Sequence, residues 1–228
     1  MEKNKMIQQT ACDKKCAHGD CVTPSSMVWL FAVGSVIGFV LEGFWSILRL
    51  GYWENHSAVV WGPFCIVYGV GTAMMYWVSA QIANKPILLQ FAIFALTGGA
   101  IEYLASWLQE TVFGVSTWNY DDHFLNIGGR ISLQMVIIWG LLGTAFAHFV
   151  FPLFARLLEK MQGRWWTFSC VCLASFMVLN LLMSAVAILR WGERKQDIPA
   201  SNRFESFLDD SYGDDRMESI FSNMEFLK

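Results

Sequence analysis

Five long stretches, at residues 26–50, 58–82, 87–108, 131–154 and 165–189, carry almost no charge. A run of about 20 apolar residues is what an α-helix needs to cross a hydrocarbon core of roughly 30 Å. A soluble bundle would need a polar face on each helix to meet water, and these stretches have almost none. The pattern predicts an all-α, polytopic membrane helix bundle of about five transmembrane helices. The whole chain agrees: 55% of its 228 residues are hydrophobic, 15% are charged, and the mean hydropathy is +0.40. Trp and Tyr gather near the ends of the runs, at Tyr52, Trp53, Trp107, Trp118, Tyr120, Trp165, Trp166 and Trp191, where amphipathic rings sit at a membrane interface.

Three regions follow. Residues 1–25 form a polar N-terminal tail, with basic residues but no apolar core of the kind a signal peptide carries. Residues 26–189 form the transmembrane domain, and residues 190–228 an acidic, amphipathic C-terminal tail. Five spans place the N-terminus with the second and fourth loops. Lys85, Arg156, Lys160 and Arg164 in those loops outnumber Arg49 and Arg130 opposite, which favours an N-terminus inside. The basic cluster Arg190, Arg194 and Lys195 argues for the C-terminal tail inside as well. Five complete spans cannot satisfy both, so either the tail is outside or one segment is re-entrant.

An internal pattern runs through the first and third spans. At an offset of 60, Gly38, Glu42 and Ser46 match Gly98, Glu102 and Ser106. A spacing of four puts each trio on one helical face. Two helices per unit would give parallel repeats about an axis along the membrane normal; chance recurrence of small residues is the alternative.

Glu42 and Glu102 carry the most physical weight, because a carboxylate in hydrocarbon costs several kcal/mol unless it faces a cavity or a partner. Arg49 and Arg130 are the natural cation partners. The functional reading is a polar cavity of Glu42, Glu102, Arg130 and Arg49; the competing one is an ion-pair network holding helices together. Above it lies the loop WNYDDHFLNIGGR, with Trp118, Tyr120, Asp121, Asp122, His123, Asn126, Gly128 and Gly129 as a candidate loop site. Paired glycines there permit a tight turn before the chain re-enters the membrane.

No strong metal pattern is present. Cys12, Cys16, His18 and Cys21 are weak candidates, because their spacing is tighter and less regular than in common zinc sites. Walker A, dinucleotide and nucleophile-elbow motifs are missing, as is a basic groove for nucleic acid. No catalytic motif and no cofactor are therefore expected. An enzyme built on His123 with Asp121 or Asp122 is the least favoured reading.

GFVLEGFWSIL, WGPFCIVYGVG, IEYLASWLQETVFGVSTWNYDDHFLNIGGRISL and IIWGLLG together resemble a bacterial integral membrane family named putative ABC-transporter type IV permeases. The resemblance covers roughly residues 31–152. Its most specific pieces are Trp118, Asn119, Tyr120, Asp121, Phe124, Asn126, Gly129, Arg130 and Ile131, then Trp139, Gly140 and Gly143. Asn119 stands where the family usually has aspartate, and Asn55, His56 and Ser57 replace an NRG-type motif. The resemblance implies a permease component in a bacterial cytoplasmic membrane, its substrate unnamed, working with a separate ATPase subunit. The alternative is a non-transporting scaffold or sensor accessory whose acidic tail binds another protein. The lipid bilayer is the expected partner in either case, no nucleic acid is expected, and a homo-oligomer is left open.

Overall fold

The computed structural model describes residues 22–161 and 163–227. The chain is essentially all-α. Helix α1 (Pro24–Leu50) opens on a capping box: Thr23 Oγ accepts from the Ser26 N–H at 3.1 Å, while the Thr23 N–H donates to Ser26 Oγ at 2.8 Å. These bonds satisfy two donors that a helix start leaves free. Gly51, at φ 83°, ends it in the left-handed region that a side chain disfavours. Helices α2 (Ile66–Ile82) and α3 (Ile87–Leu108) follow, and α3 runs on through a π-turn, Gln109–Phe113. Helix α4 (Leu133–Ala145), a second π-turn (Phe146–Val150) and α5 (Phe151–Lys160) form one continuous rod of 28 residues. Helix α6 (Arg164–Lys195) is the longest, at 32 residues.

Four of these rods are long and apolar enough to cross a membrane. The second expected span departs from expectation. It is helical only from Ile66, so α2 has 17 residues, at the short limit for a crossing helix. Residues 58–65 run irregularly. Gly62 takes φ 90° beside Pro63, which breaks any helix that the apolar composition would otherwise support. The fourth and fifth rods extend past the expected ends, to Lys160 and Lys195.

Helix α1 packs chiefly on α2, and α3 on α4. The two pairs are the units that the offset of 60 implied. The C-terminal segment folds back rather than trailing away. Helices α7 (Arg203–Ser211) and α8 (Asp214–Ile220) lead to β2 (Glu225–Phe226), which pairs antiparallel with β1 (Val115–Ser116) in the register Val115↔Phe226. Leu208, Tyr212, Met217 and Phe221 bury against Val60, Val115, Ile188 and Trp191. The tail therefore lies on the side of the first and third loops. Its basic cluster is neutralised within the chain. Arg190 pairs with Glu193 and Asp209, Arg194 with Asp209 and Asp214, and Lys195 with Glu218.

Candidate functional site

The two matched helices make the same contact with their partners. In the first pair the Tyr68 ring of α2 covers Gly38, and its hydroxyl donates to Glu42 Oε1 at 2.6 Å. In the second, Trp139 of α4 covers Gly98, and its indole N–H donates to Glu102 Oε2. Each glycine admits an aromatic ring whose polar tip reaches the glutamate one turn on. A Cβ at Gly98 would stand 2.5 Å from Trp139 Cδ2, so the ring could not stay. The other oxygen of Glu102 accepts from the Tyr120 hydroxyl at 2.7 Å, which ties the third loop to the site.

Glu102 is buried and Glu42 half-buried, and they lie within electrostatic reach of each other. Among the described residues neither forms an ion pair. The expected cation partners are elsewhere. Arg130 gives Nε and Nη2 to Glu110, which the π-turn after α3 carries toward the loop, and its guanidinium lies 5.7 Å from the Tyr103 ring centre. Arg49 is exposed and makes no ion pair among the described residues. Neutral donors alone, Tyr68, Trp139 and Tyr120, hold the carboxylates. Hydrogen bonds to a charged group are worth about 1.5–3 kcal/mol each.

The third loop is a closed turn. The Tyr120 N–H donates to the Gly129 carbonyl at 2.8 Å, the Trp118 indole to the Arg130 carbonyl at 3.2 Å, and the Gly129 N–H to Asn126 Oδ1 at 3.1 Å. Asn126 Nδ2 spans the carbonyls of Asp121 and His123, at 2.9 and 3.1 Å. Gly128 and Gly129 both have positive φ, 59° and 67°. A Cβ at Gly129 would also meet Asp121 Oδ1 at 2.6 Å. Asp121, Asp122 and His123 are exposed, and the His123 ring packs edge-on to Tyr120 at 5.2 Å. Tyr120 is thus the member of the loop that reaches Glu102. Burial, then the charge of Glu102, push its phenol well above the ordinary range and keep it a proton donor.

Residues 58–65 complete the surroundings, and here sequence reasoning missed the key partners. The N–H of Val60 donates to Ser184 Oγ at 2.9 Å, and that of Trp61 to Asn180 Oδ1 at 3.1 Å; Asn180 Nδ2 returns a bond to the Trp61 carbonyl at 2.7 Å. The Cys65 N–H donates to the Ser35 carbonyl at 3.0 Å. Ser35 and Asn180 lie near the middles of α1 and α6, so the unwound segment reaches deep between helices. Non-helical backbone at such depth survives only where protein or a water-filled cavity satisfies it. The available signal was a lone Asn in an otherwise apolar run.

His56 stands 2.8 Å from Ser46 Oγ and 3.2 Å from Glu54, but through the same atom, Nε2. A base that activates a hydroxyl receives it on one ring nitrogen and its orienting acid on the other. This trio is therefore not a nucleophilic triad. No three His, Cys, Asp or Glu among the described residues converge to hold a metal ion. Cys12, Cys16, His18 and Cys21 lie outside the described residues.

A family model described as "Putative ABC-transporter type IV" matches residues 29–185. The chain belongs to this family. The match runs from within α1 to within α6 and takes in both Gly–Glu–aromatic contacts and the unwound segment. It stops within α6, before the folded tail. The type IV family name and the four long apolar helices make this an ABC-transporter-related membrane protein. Neither curated proteins nor solved structures gave a match.

Proposed function

We propose that this type IV family member is the membrane permease component of a transporter in a bacterial cytoplasmic membrane, energised by a separate ATPase subunit. Glu42 and Glu102 are its solute-contacting carboxylates. The observation that carries this reading is that two carboxyl groups sit inside the bundle with neutral donors and, among the described residues, no cation partner. A structural ion pair would have brought its own arginine or lysine. Here the compensating charge is left for a proton or for a cationic group of the solute. The unwound start of α2 beside them supports the same reading, since transporters bind their solutes where membrane helices are interrupted.

The loops opposite the folded tail face the cytoplasm. Among the described residues Lys85, Arg156, Lys160 and Arg164 make no ion pairs, whereas in the loops on the other side Arg130 is paired and Arg49 is not; in the tail Arg190, Arg194 and Lys195 are paired, and Arg203 and Arg216 are not. The short loops thus keep four free cations on one side against one on the other, the bias of cytoplasmic loops. The segment 156–164 is the docking place of the ATPase. A scaffold role is the second reading, and the stacked, exposed pair Phe204 and Phe207 on α7 favours it as a protein contact.

Solute uptake by cells expressing Glu42→Gln, Glu102→Gln and the double variant tests the proposal. Glutamine keeps the shape and most of the hydrogen bonding while removing the charge. Folded protein in the membrane with uptake lost is the expected outcome; uptake unchanged in the folded double variant would refute the role given to the carboxylates.

A further inference from the structure

Glu42 and Glu102 stand on opposite sides of a seam. Helices α1 and α2 form one pair and α3 and α4 the other, each packing chiefly within itself, and the two carboxyl groups lie within electrostatic reach across the divide. Tyr68 of the first pair is also in reach of Glu102, and Tyr120 of the second in reach of Glu42.

On the side of the folded tail, the first loop, α6 and the tail form one body. Val60 and Trp61 bond to Ser184 and Asn180 of α6. Asn55 bonds to Ser219 and Ser222, and the Trp61 indole donates to the Tyr212 hydroxyl at 3.0 Å. Ion pairs fix the tail to α6 in turn. The second pair is fastened here by far less. Among the described residues, no hydrogen bond or ion pair runs directly from the first loop to the third. Residues 103–132 hydrogen-bond to the body only through β1 and the glycine before it. The links are the ladder Val115↔Phe226 and Ser116↔Glu225, and the Leu227 N–H, which donates to the Gly114 carbonyl at 2.8 Å. Apolar packing supplies the rest, with Val115 wholly buried in the tail's cluster and Phe226 edge-on to Trp191 at 4.8 Å. A two-stranded ladder this short is marginal by itself.

We propose that β2 is a latch. Seated on β1 it holds the two helix pairs together at this end; released, it lets them part so that Glu42 and Glu102 meet water. Such an opening breaks one weak contact and keeps the packing inside each pair, as rigid-body rocking requires. The gating role rests on the carboxylates being the solute-contacting groups; the seam and its fastening do not.

Cys65 reports on the seam. It immediately precedes α2, is partly buried and lies within electrostatic reach of Glu42. Cys170, buried toward the opposite end of α6 from the tail, serves as the control. The test measures labelling of each thiol by a charged, lipid-insoluble maleimide, site by site with mass spectrometry, on the full chain in lipid nanodiscs. Phe226→Ala with Leu227→Pro removes the ring contact and the bond to Gly114. Ser116→Cys with Glu225→Cys, once oxidised, bridges the ladder covalently. Labelling of Cys65 is expected to rise roughly five- to tenfold in the first variant, the factor for one net hydrogen bond. It should fall by a similar factor in the bridged one and return when the bridge is reduced, with Cys170 unchanged throughout. Failure of the bridge to form, or the same Cys65 rate in all three proteins, would overturn the proposal. So would a parallel rise at Cys170, because the whole bundle would then have loosened. No solute enters this measurement, so the latch and the transport role of the carboxylates stand or fall separately.

Discussion

Asn180, fully buried in the middle of α6, holds Trp61 by both of its backbone groups, accepting from the N–H at 3.1 Å and donating to the C=O at 2.7 Å. One side-chain amide thus replaces the two bonds that Trp61 would have made in a helix. Asn180→Leu leaves an N–H and a C=O unsatisfied at membrane depth. The expected destabilisation is roughly 2–5 kcal/mol, from two orphaned polar groups. Unfolding in mixed micelles measures it, and a loss below about 0.5 kcal/mol would show that the segment does not depend on Asn180.

The repeated glycines make a comparison within one helix. At Gly98 an added Cβ collides with Trp139 at 2.5 Å, whereas at the adjacent Gly99 its nearest neighbours are the ends of two aliphatic side chains, Val136 Cγ2 at 3.1 Å and Ile131 Cγ1 at 3.9 Å. Gly98→Ala should displace the indole, break its bond to Glu102 and cost about 1–3 kcal/mol. Gly99→Ala should be close to neutral. Unfolding midpoints, together with tryptophan fluorescence, separate the two.

Arg130 belongs to Glu110 and does not touch the carboxylates inside the bundle. Both side chains of that pair are about one-quarter exposed, 26% and 23%. Arg130→Met should therefore cost little stability. It should also leave any solute uptake within twofold or so of wild type, since a change below ~0.5 kcal/mol is a factor of about two. Loss of uptake in a folded Arg130→Met protein would move Arg130 into the cavity.

The tail is fastened by Asp209. Arg190 first, then Arg194, hold its carboxyl well below the usual range, down to about 2. A folded value below the unfolded one means that the stabilisation is complete above about pH 4 and disappears as the pH falls through the folded value. Pepsin cleavage within residues 203–227 should accelerate on going from pH 4 to pH 2 beyond the change on an unstructured control peptide. Asp209→Asn should be cleaved fast at both. A wild-type tail equally resistant at both values would mean that burial of Leu208, Tyr212, Met217 and Phe221 suffices without the ion pairs.

Hydropathy alone made the helical bundle legible, because a bilayer leaves an apolar run of that length few alternatives. The offset of 60 was also legible, and it marked the two glutamates. Their real partners were not. Nothing local set Tyr68 apart, Trp139 stood out only through the family resemblance, and only packing over a glycine turns their polar tips toward a carboxylate. Arg130 looked like the obvious counterion until the π-turn after α3 presented Glu110 to it. Residues 58–65 are as apolar as a helix, and composition cannot distinguish a helix from buried irregular backbone. Gly62 and Pro63 were the local signs, and Asn180 and Ser184 the distant ones. The folding of the tail rests on long-range pairs such as Arg190 with Asp209, which no local pattern discloses.

The most direct measurement is affinity purification of the tagged chain from its native membrane, with quantitative mass spectrometry and an ATP-hydrolysis assay on the recovered complex, run in parallel for wild type and the Glu42→Gln, Glu102→Gln double variant. A stoichiometric ATPase is expected with both, its hydrolysis stimulated by a solute only in the wild-type complex. Recovery of no ATPase under conditions that keep the fold, or equal stimulation in the double variant, would contradict a permease that works through these two carboxylates.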